Sequence, residues 1–194
     1  MVTTKSGSKP VTFDQAKMWQ ALEARLAVTE NPRHRQMLAV VIEHSKAEAD
    51  CNVDRLMATL IDDPQYHFWV RGRDVGPKGF DAVRQYYEYF AAGGGAVFES
   101  PKDRVVVDDH HVVSEAEVRN YVPGRVAKAR GYSVPDDSGH YLVRFRNVVF
   151  FEFAEDPTHA LCEDSYTQID PDAWERVSDD DLPNVYVAYL ASLV

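Results

Sequence analysis

The chain has 194 residues, 45% of them hydrophobic and 27% charged, and its 21 Lys and Arg against 31 Asp and Glu give a formal net charge of −10. That length suits one domain with a substantial core. The acidic balance argues against a general nucleic-acid or anionic-membrane surface, because both need positive charge. The two cysteines, Cys51 and Cys162, have neither metal-ligand spacing nor the context of a secreted disulfide scaffold. The opening MVTTKSGSKP is polar and lacks the apolar core of a signal peptide, and no run reaches the length of a membrane span. Residues 1–12 therefore read as a flexible tail, and a cytoplasmic, reduced protein is the expectation.

Over 13–29 the residues Met18, Trp19, Leu22 and Leu26 form a helical stripe. Asn31 as N-cap, with Pro32 at the first helical position, opens a second helix burying Met37, Leu38, Val41 and Ile42. These helices are expected to cover one side of a sheet or to contribute to a dimer contact. The stretch 52–90, NVDRLMATLIDDPQYHFWVRGRDVGPKGFDAVRQYYEYF, carries the densest pattern. Asn52 caps a helix with Leu56, Met57 and Leu60 on one side, and Asp62-Asp63-Pro64 stops it, since Pro64 has no N–H and restricts the residue before it. Tyr66-His67-Phe68-Trp69-Val70 is short and aromatic and predicts a strand. After the loop Gly76-Pro77-Lys78-Gly79, the residues Phe80, Val83, Tyr87 and Phe90 line one face of a further helix.

Gly93-Gly94-Gly95 breaks that helix. Segments 97–99 and 104–107 run into a turn at Asp108-Asp109-His110, and 111–118 returns from it, which predicts a hairpin. Prolines and glycines at 123, 124, 131, 135 and 139 predict a long loop over 121–139, folded across a pocket mouth. Tyr141, Val143, Phe145, Val149, Phe151 and Phe153 share one face of a strand, with Asn147 interrupting that face and Arg144 and Arg146 on the other. A last strand over 160–169 follows, closed off by Pro171 and the acidic 178–181. A C-terminal helix then carries Leu182, Tyr186, Tyr189, Leu190 and Leu193, and is expected to pack across the sheet or to exchange with a partner subunit.

The order of helix, Asp-Asp-Pro stop, aromatic strand, glycine loop and aromatic helix resembles the nuclear transport factor 2-like superfamily, and within it the SnoaL-like branch. The resemblance implies an α+β fold in which a cone-shaped, curved antiparallel sheet packs against N-terminal helices, with 13–194 as a single SnoaL-like domain extended by helices at both ends. It also implies an apolar pocket inside the cone and a homodimer.

Such a pocket suits acid–base work, because burial moves carboxylate pKa values upward and histidine values downward. Alternation places His67 with Trp69 and Arg71 on one face of the aromatic strand, and Tyr66 with Phe68 and Val70 on the other. If the first face lines the cone, His67 is a general acid or base and Trp69 a pocket wall; otherwise His67 is a structural or surface histidine. Asp50 stands close to where the resemblance puts the acid of dehydratase and dehydrochlorinase branches, and Glu99 occupies the place of their second-strand histidine. Asp54 is explained by the helix dipole alone. The run Leu161-Cys162-Glu163-Asp164-Ser165-Tyr166 resembles the superfamily's last-strand GED-Y pattern, with Cys162 in place of glycine. Either Glu163 or Asp164 must point inward, where it would need a partner such as Arg144, His67, Tyr86 or Asn147. Asn147, an amide on an apolar face, must find hydrogen bonds in a ligand carbonyl or a bulge. His110 and His111 with Asp108 and Asp109 match metal ligands in type, but neighbours on a turn rarely converge on one ion, so no metal is expected.

No GxSxG, P-loop, HExxH, paired CxxC or Rossmann glycine pattern is present. The sequence thus reads as a cofactor-independent acid–base enzyme, of isomerase, dehydratase or cyclase type, acting on a small, largely apolar carbonyl-bearing or cyclic metabolite. His67 with Glu163, Glu99 or Asp50 would move the protons, and Tyr66, Trp69, Tyr86 and Asn147 would position the ligand. The alternative is a noncatalytic ligand-binding or dimerisation module, its cone filled by Phe98, Phe145, Phe151 and Trp69.

Overall fold

The computed structural model describes residues 13–70 and 72–193, so the expected tail at 1–12 lies outside the described residues. In chain order the elements are α1 (Lys17–Val28), α2 (Pro32–Ala49), α3 (Val53–Met57), β1 (His67–Val70), β2 (Arg73–Asp74), α4 (Phe80–Ala92), β3 (Phe98–Glu99), β4 (Lys102–Val107), β5 (His111–Pro123), α5 (Gly124–Ala129), β6 (His140–Phe153), β7 (Ala160–Val177) and α6 (Asn184–Ser192). Local chemistry sets many of the boundaries. The Asn31 side chain accepts from the backbone N–H groups of Arg33 and His34 and starts α2 at Pro32, while Asn52 accepts from Arg55 N–H and starts α3. Gly94 follows the end of α4 with φ +82°, a conformation that suits glycine at a helix end. A Cβ at Gly76 would run into the Tyr66 carbonyl, so only glycine lets this loop lie against the strand.

The sheet has seven strands in the order β2-β1-β7-β6-β5-β3, with β4 also paired to β5. All pairings are antiparallel except that of β1 with β7, which is parallel and places His67 opposite Asp164 and Trp69 opposite Tyr166. Directly opposed residues share a face. One face therefore carries the rows Val112–Phe151–Glu163, Ser114–Val149–Ser165 and Lys102–Ala116–Asn147–Thr167. This inner face meets α2 and α4: Met37, Leu38, Val41 and Ile42 join Val83, Tyr87, Val112, Val149 and Phe151 in one core. The opposite face carries Glu115–Val148–Tyr166 and Glu117–Arg146–Gln168 and looks outward. Helices α2 and α4 set against the inner face of a curved, mainly antiparallel sheet make an α+β cone. Arg33 ties the start of α2 to the sheet rim, its guanidinium donating to the carbonyls of Asp109, Ala154 and Glu155 at 2.5 Å each.

Two segments depart from the sequence expectation. The predicted loop at 121–139 is irregular only over 130–139, because β5 runs on to Pro123 and the Pro-Gly pair opens α5 rather than a coil. Ala127 and Val134 then bury against Val122, Tyr141 and Val143. The last strand extends past 169 to Val177: pairing with β6 steps from Phe145↔Ile169 to Val143↔Trp174, so 170–173 form a bulge, a place where a sheet tolerates a proline such as Pro171. At the C-terminus α6 lies on its own chain, with Tyr186 buried among Val97, Tyr121 and Leu142 and its hydroxyl 3.0 Å from His140 Nδ1.

Candidate functional site

On α2, Met37, Val41, His44 and Glu48 follow one another at helical spacing, so the apolar stripe that anchors the helix ends in two polar side chains over the inner sheet face. His44 is 1% exposed. Its Nδ1 lies 2.7 Å from Thr59 Oγ1, whose hydroxyl donates to the Leu56 carbonyl at 2.7 Å. Its Nε2 lies 3.1 Å from the Tyr87 hydroxyl and 3.5 Å from Glu163 Oε2. Tyr87 donates to Glu163 Oε2 at 2.7 Å, and the Tyr66 hydroxyl stands 3.1 Å from that of Tyr87.

Thr59 donates to the Leu56 carbonyl and Tyr87 to Glu163, so hydroxyl groups hold the His44 ring at both nitrogens, and the Tyr87 hydroxyl stands as the bridge between His44 and Glu163.

Burial raises the pKa of Glu163, but hydrogen bonding and attraction from His44, with help from Tyr87 and Lys102, outweigh it and hold the group below the usual 4.5. Glu48 goes the other way: burial first, then the charge of Glu163, push it up to about 8 against a smaller opposing pull from Lys102. Two carboxylates in one enclosure with pKa values driven apart are an acid and a base at neutral pH. Tyr66 and Tyr87 are raised well above 10, chiefly by burial and then by Glu163, and stay neutral donors. Tyr86, 36% exposed, is also raised, mainly by burial and then by the charge of Glu163. Glu163 Oε1 and both Glu48 carboxyl oxygens have no hydrogen-bond partner among the described residues and are not sealed from solvent. Among the described residues no three His, Cys, Asp or Glu side chains form a group that could hold a metal ion.

Comparison with solved structures places this architecture. A candidate SnoaL-like polyketide cyclase from Shewanella putrefaciens CN-32 superimposes with a TM-score of 0.58 at 10% identity, over 86% of this chain and 92% of that one. Another from Jannaschia sp. CCS1 gives 0.55 at 16% identity over 72% and 90%. A phenazine biosynthesis-related protein from Pseudomonas aeruginosa gives 0.52 at 13% identity over 70% and 81%. The fold is nuclear transport factor 2-like, in its SnoaL-like form. No family model and no curated protein sequence matches the chain.

Within this SnoaL-like cone the residues singled out from sequence scatter. Glu163 turns inward and Asp164 outward, and Tyr66 and Tyr86 also stand on the helix side. Asn147 faces inward, its Oδ1 accepting from Ser165 and Thr167 hydroxyls at 3.0 and 3.2 Å. The other residues do not join them. His67 lies on the outer face with its Nδ1 2.7 Å from Asp74 and 2.9 Å from Lys78 Nζ, because the parallel pairing with β7 sets it beside Asp164 rather than Glu163. Trp69, 39% exposed, follows it outward and lines an open groove of about 410 Å³ with Tyr166, Val148 and Arg146, away from His44 and Glu163. Arg71 lies outside the described residues. Glu99 is buried on the opposite side of its strand, paired with Arg119 and Lys17 and accepting from Asp14 N–H at 2.7 Å. Asp50 ends α2 in solvent, paired with Arg55 at 2.6 Å. His44, Glu48 and Lys102 were missed by the sequence reading. The available signal was the 37-41-44-48 spacing, which continues an apolar stripe into a histidine and an acid.

Proposed function

We propose that the protein is a cofactor-independent proton-transfer enzyme, of isomerase, dehydratase or cyclase type, acting on a small carbonyl-bearing compound inside the cone. The observation that carries this reading is the pair of inward carboxylates with opposed protonation, Glu163 held ionised by His44 and Tyr87, and Glu48 pushed up to about 8. Glu163 Oε1 takes a proton from the carbon next to the carbonyl. The C–H electron pair becomes the enol double bond, and the carbonyl oxygen accepts the Glu48 proton or a hydrogen bond from it. In a β,γ-unsaturated substrate, return of the proton from Glu163 to the γ carbon and of the enol proton to Glu48 completes an isomerisation; with a leaving group on the β carbon, its departure with its bonding pair as the enol proton returns to Glu48 completes an elimination. Tyr87 and His44 keep Oε2 occupied, so the base presents one oxygen. Tyr66 and Tyr86 form the wall of the recess inside the cone, and neither contributes charge.

The test is deuterium incorporation next to the carbonyl of a panel of small cyclic and aryl ketones in D₂O, followed by NMR. Exchange above background in the wild type that disappears in Glu163→Gln supports the reading. Exchange that persists in Glu163→Gln, or is absent across the panel with the protein folded, removes it. Assembly belongs to the same reading: a homodimer formed through the outer face, where Trp69 and Tyr166 stack exposed at 6.4 Å, is expected from light scattering.

A further inference from the structure

The inner sheet face holds a second polar group that proton transfer does not use. Lys102, Ala116, Asn147 and Thr167 lie in one row across four strands, with only the small side chain of Ala116 between the lysine and the amide. Lys102 Nζ donates to Ser100 Oγ at 2.9 Å and has no carboxylate within ion-pair distance among the described residues. Asn147 commits its oxygen to Ser165 and Thr167, and its Nδ2 has no partner among the described residues. The row thus offers an ammonium and a free amide N–H₂ to the same recess.

The contacts of the ammonium point to what they hold. Glu163 gives its Oε2 to Tyr87 and His44, and neither Glu163 nor Glu48 comes within ion-pair distance of Lys102 among the described residues, so Lys102 Nζ has no contacting anion. A cation enclosed without a contacting anion is penalised by desolvation, and burial lowers the Lys102 pKa accordingly. A ligand that brings one negative charge relieves that penalty.

We propose that the recess takes a carbonyl compound carrying one carboxylate, and that Lys102 Nζ and the Asn147 amide bind that carboxylate. The carbonyl part of this statement rests on the proton-transfer reading; the carboxylate part rests on the row alone. The carboxylate anchors the ligand at the Lys102 end and extends its carbonyl toward Glu48 and Glu163, so Lys102 selects the substrate and the acid pair transforms it.

Calorimetric titration with 4-acetylbenzoate and its methyl ester tests this on the whole chain. The carboxylate is expected to bind at least about tenfold tighter than the ester, and Lys102→Met is expected to erase that preference while circular dichroism and the melting midpoint report a folded chain. Lys102→Arg is expected to retain part of the preference, and Asn147→Leu to weaken carboxylate binding more than ester binding. Equal affinity for acid and ester, absence of carboxylate binding, or a preference untouched by Lys102→Met in a folded chain overturns the proposal. So does a borohydride-trapped adduct on Lys102, which would make it an amine nucleophile rather than a charge anchor. The two readings fail separately, because Glu163→Gln is expected to stop exchange while keeping the preference for the carboxylate.

Discussion

His67 lies closer to its acid than His44 does, 2.7 Å from Asp74 against 3.5 Å from Glu163. Distance alone would favour the first pair, yet surroundings reverse the ranking. His67 stands on the outer face with its side chain 38% exposed, where water screens the pair and Lys78 also satisfies Asp74. His44 sits in the core, T-shaped against Phe151 at 5.1 Å, with both ring nitrogens occupied by a network that ends on Glu163. In a low-dielectric enclosure each of those contacts is stronger, and losing one leaves a polar group stranded. A histidine beside an acid is therefore informative only when burial and a third partner fix both of them.

Substitutions can break this contrast. The largest effect is expected from Glu163→Gln, with proton exchange falling by about 10²- to 10⁴-fold, read by NMR, while the fold is retained through the Tyr87 contact. His44→Ala removes a buried polar partner of Glu163 and Tyr87 and leaves a void, so urea denaturation is expected to show a loss of about 3 kcal/mol together with slower exchange. Glu99→Ala is expected to cost a similar amount of about 3 kcal/mol, because it removes the buried acid that Arg119 and Lys17 contact, yet to leave exchange per folded molecule unchanged.

Glu48→Gln sharpens the contrast through pH. The folded pKa of Glu48 is near 8 and its ordinary value 4.5, so its protonated form contributes stability that is fully present below 4.5 and lost as pH rises toward about 8. The melting midpoint of the variant is expected to fall less than that of the wild type between pH 5 and 8. Glu163 has the opposite sign, its contribution present above 4.5 and lost only as pH falls below that value. Exchange in the wild type should accordingly weaken above about 8 and again below 4.5. The smallest effect belongs to His67→Ala, for which neither the melting midpoint nor exchange is expected to move.

Features governed by near neighbours were legible in the sequence. Asn52 at the start of α3, Asn31-Pro32 at the start of α2 and the Asp108 turn each rest on contacts within a few residues. Glu163 stood out for its place in the last strand, but its face could not be settled there, since alternation fixes which residues travel together and not which set meets the helices. The parallel pairing of β1 with β7 decided that, turning His67 and Trp69 out and Tyr66 in. His44 and Glu48 were obscured by the apolar stripe that carries them. Lys102 reads as an ordinary strand-end cation until pairing with Ala116 brings it over the inner face. The segment 121–139 looked like loop because Pro123 and Gly124 resemble breakers, whereas here they join a strand directly to a helix.

A carboxyl-carbon NMR titration of glutamate-labelled protein, with Glu48 and Glu163 assigned through their glutamine variants, tests the opposed acid pair most directly. The expected result is one inward carboxyl titrating near 8 and the other remaining ionised down to below 4.5. Both titrating together near 4.5, in a protein shown to be folded, would contradict it.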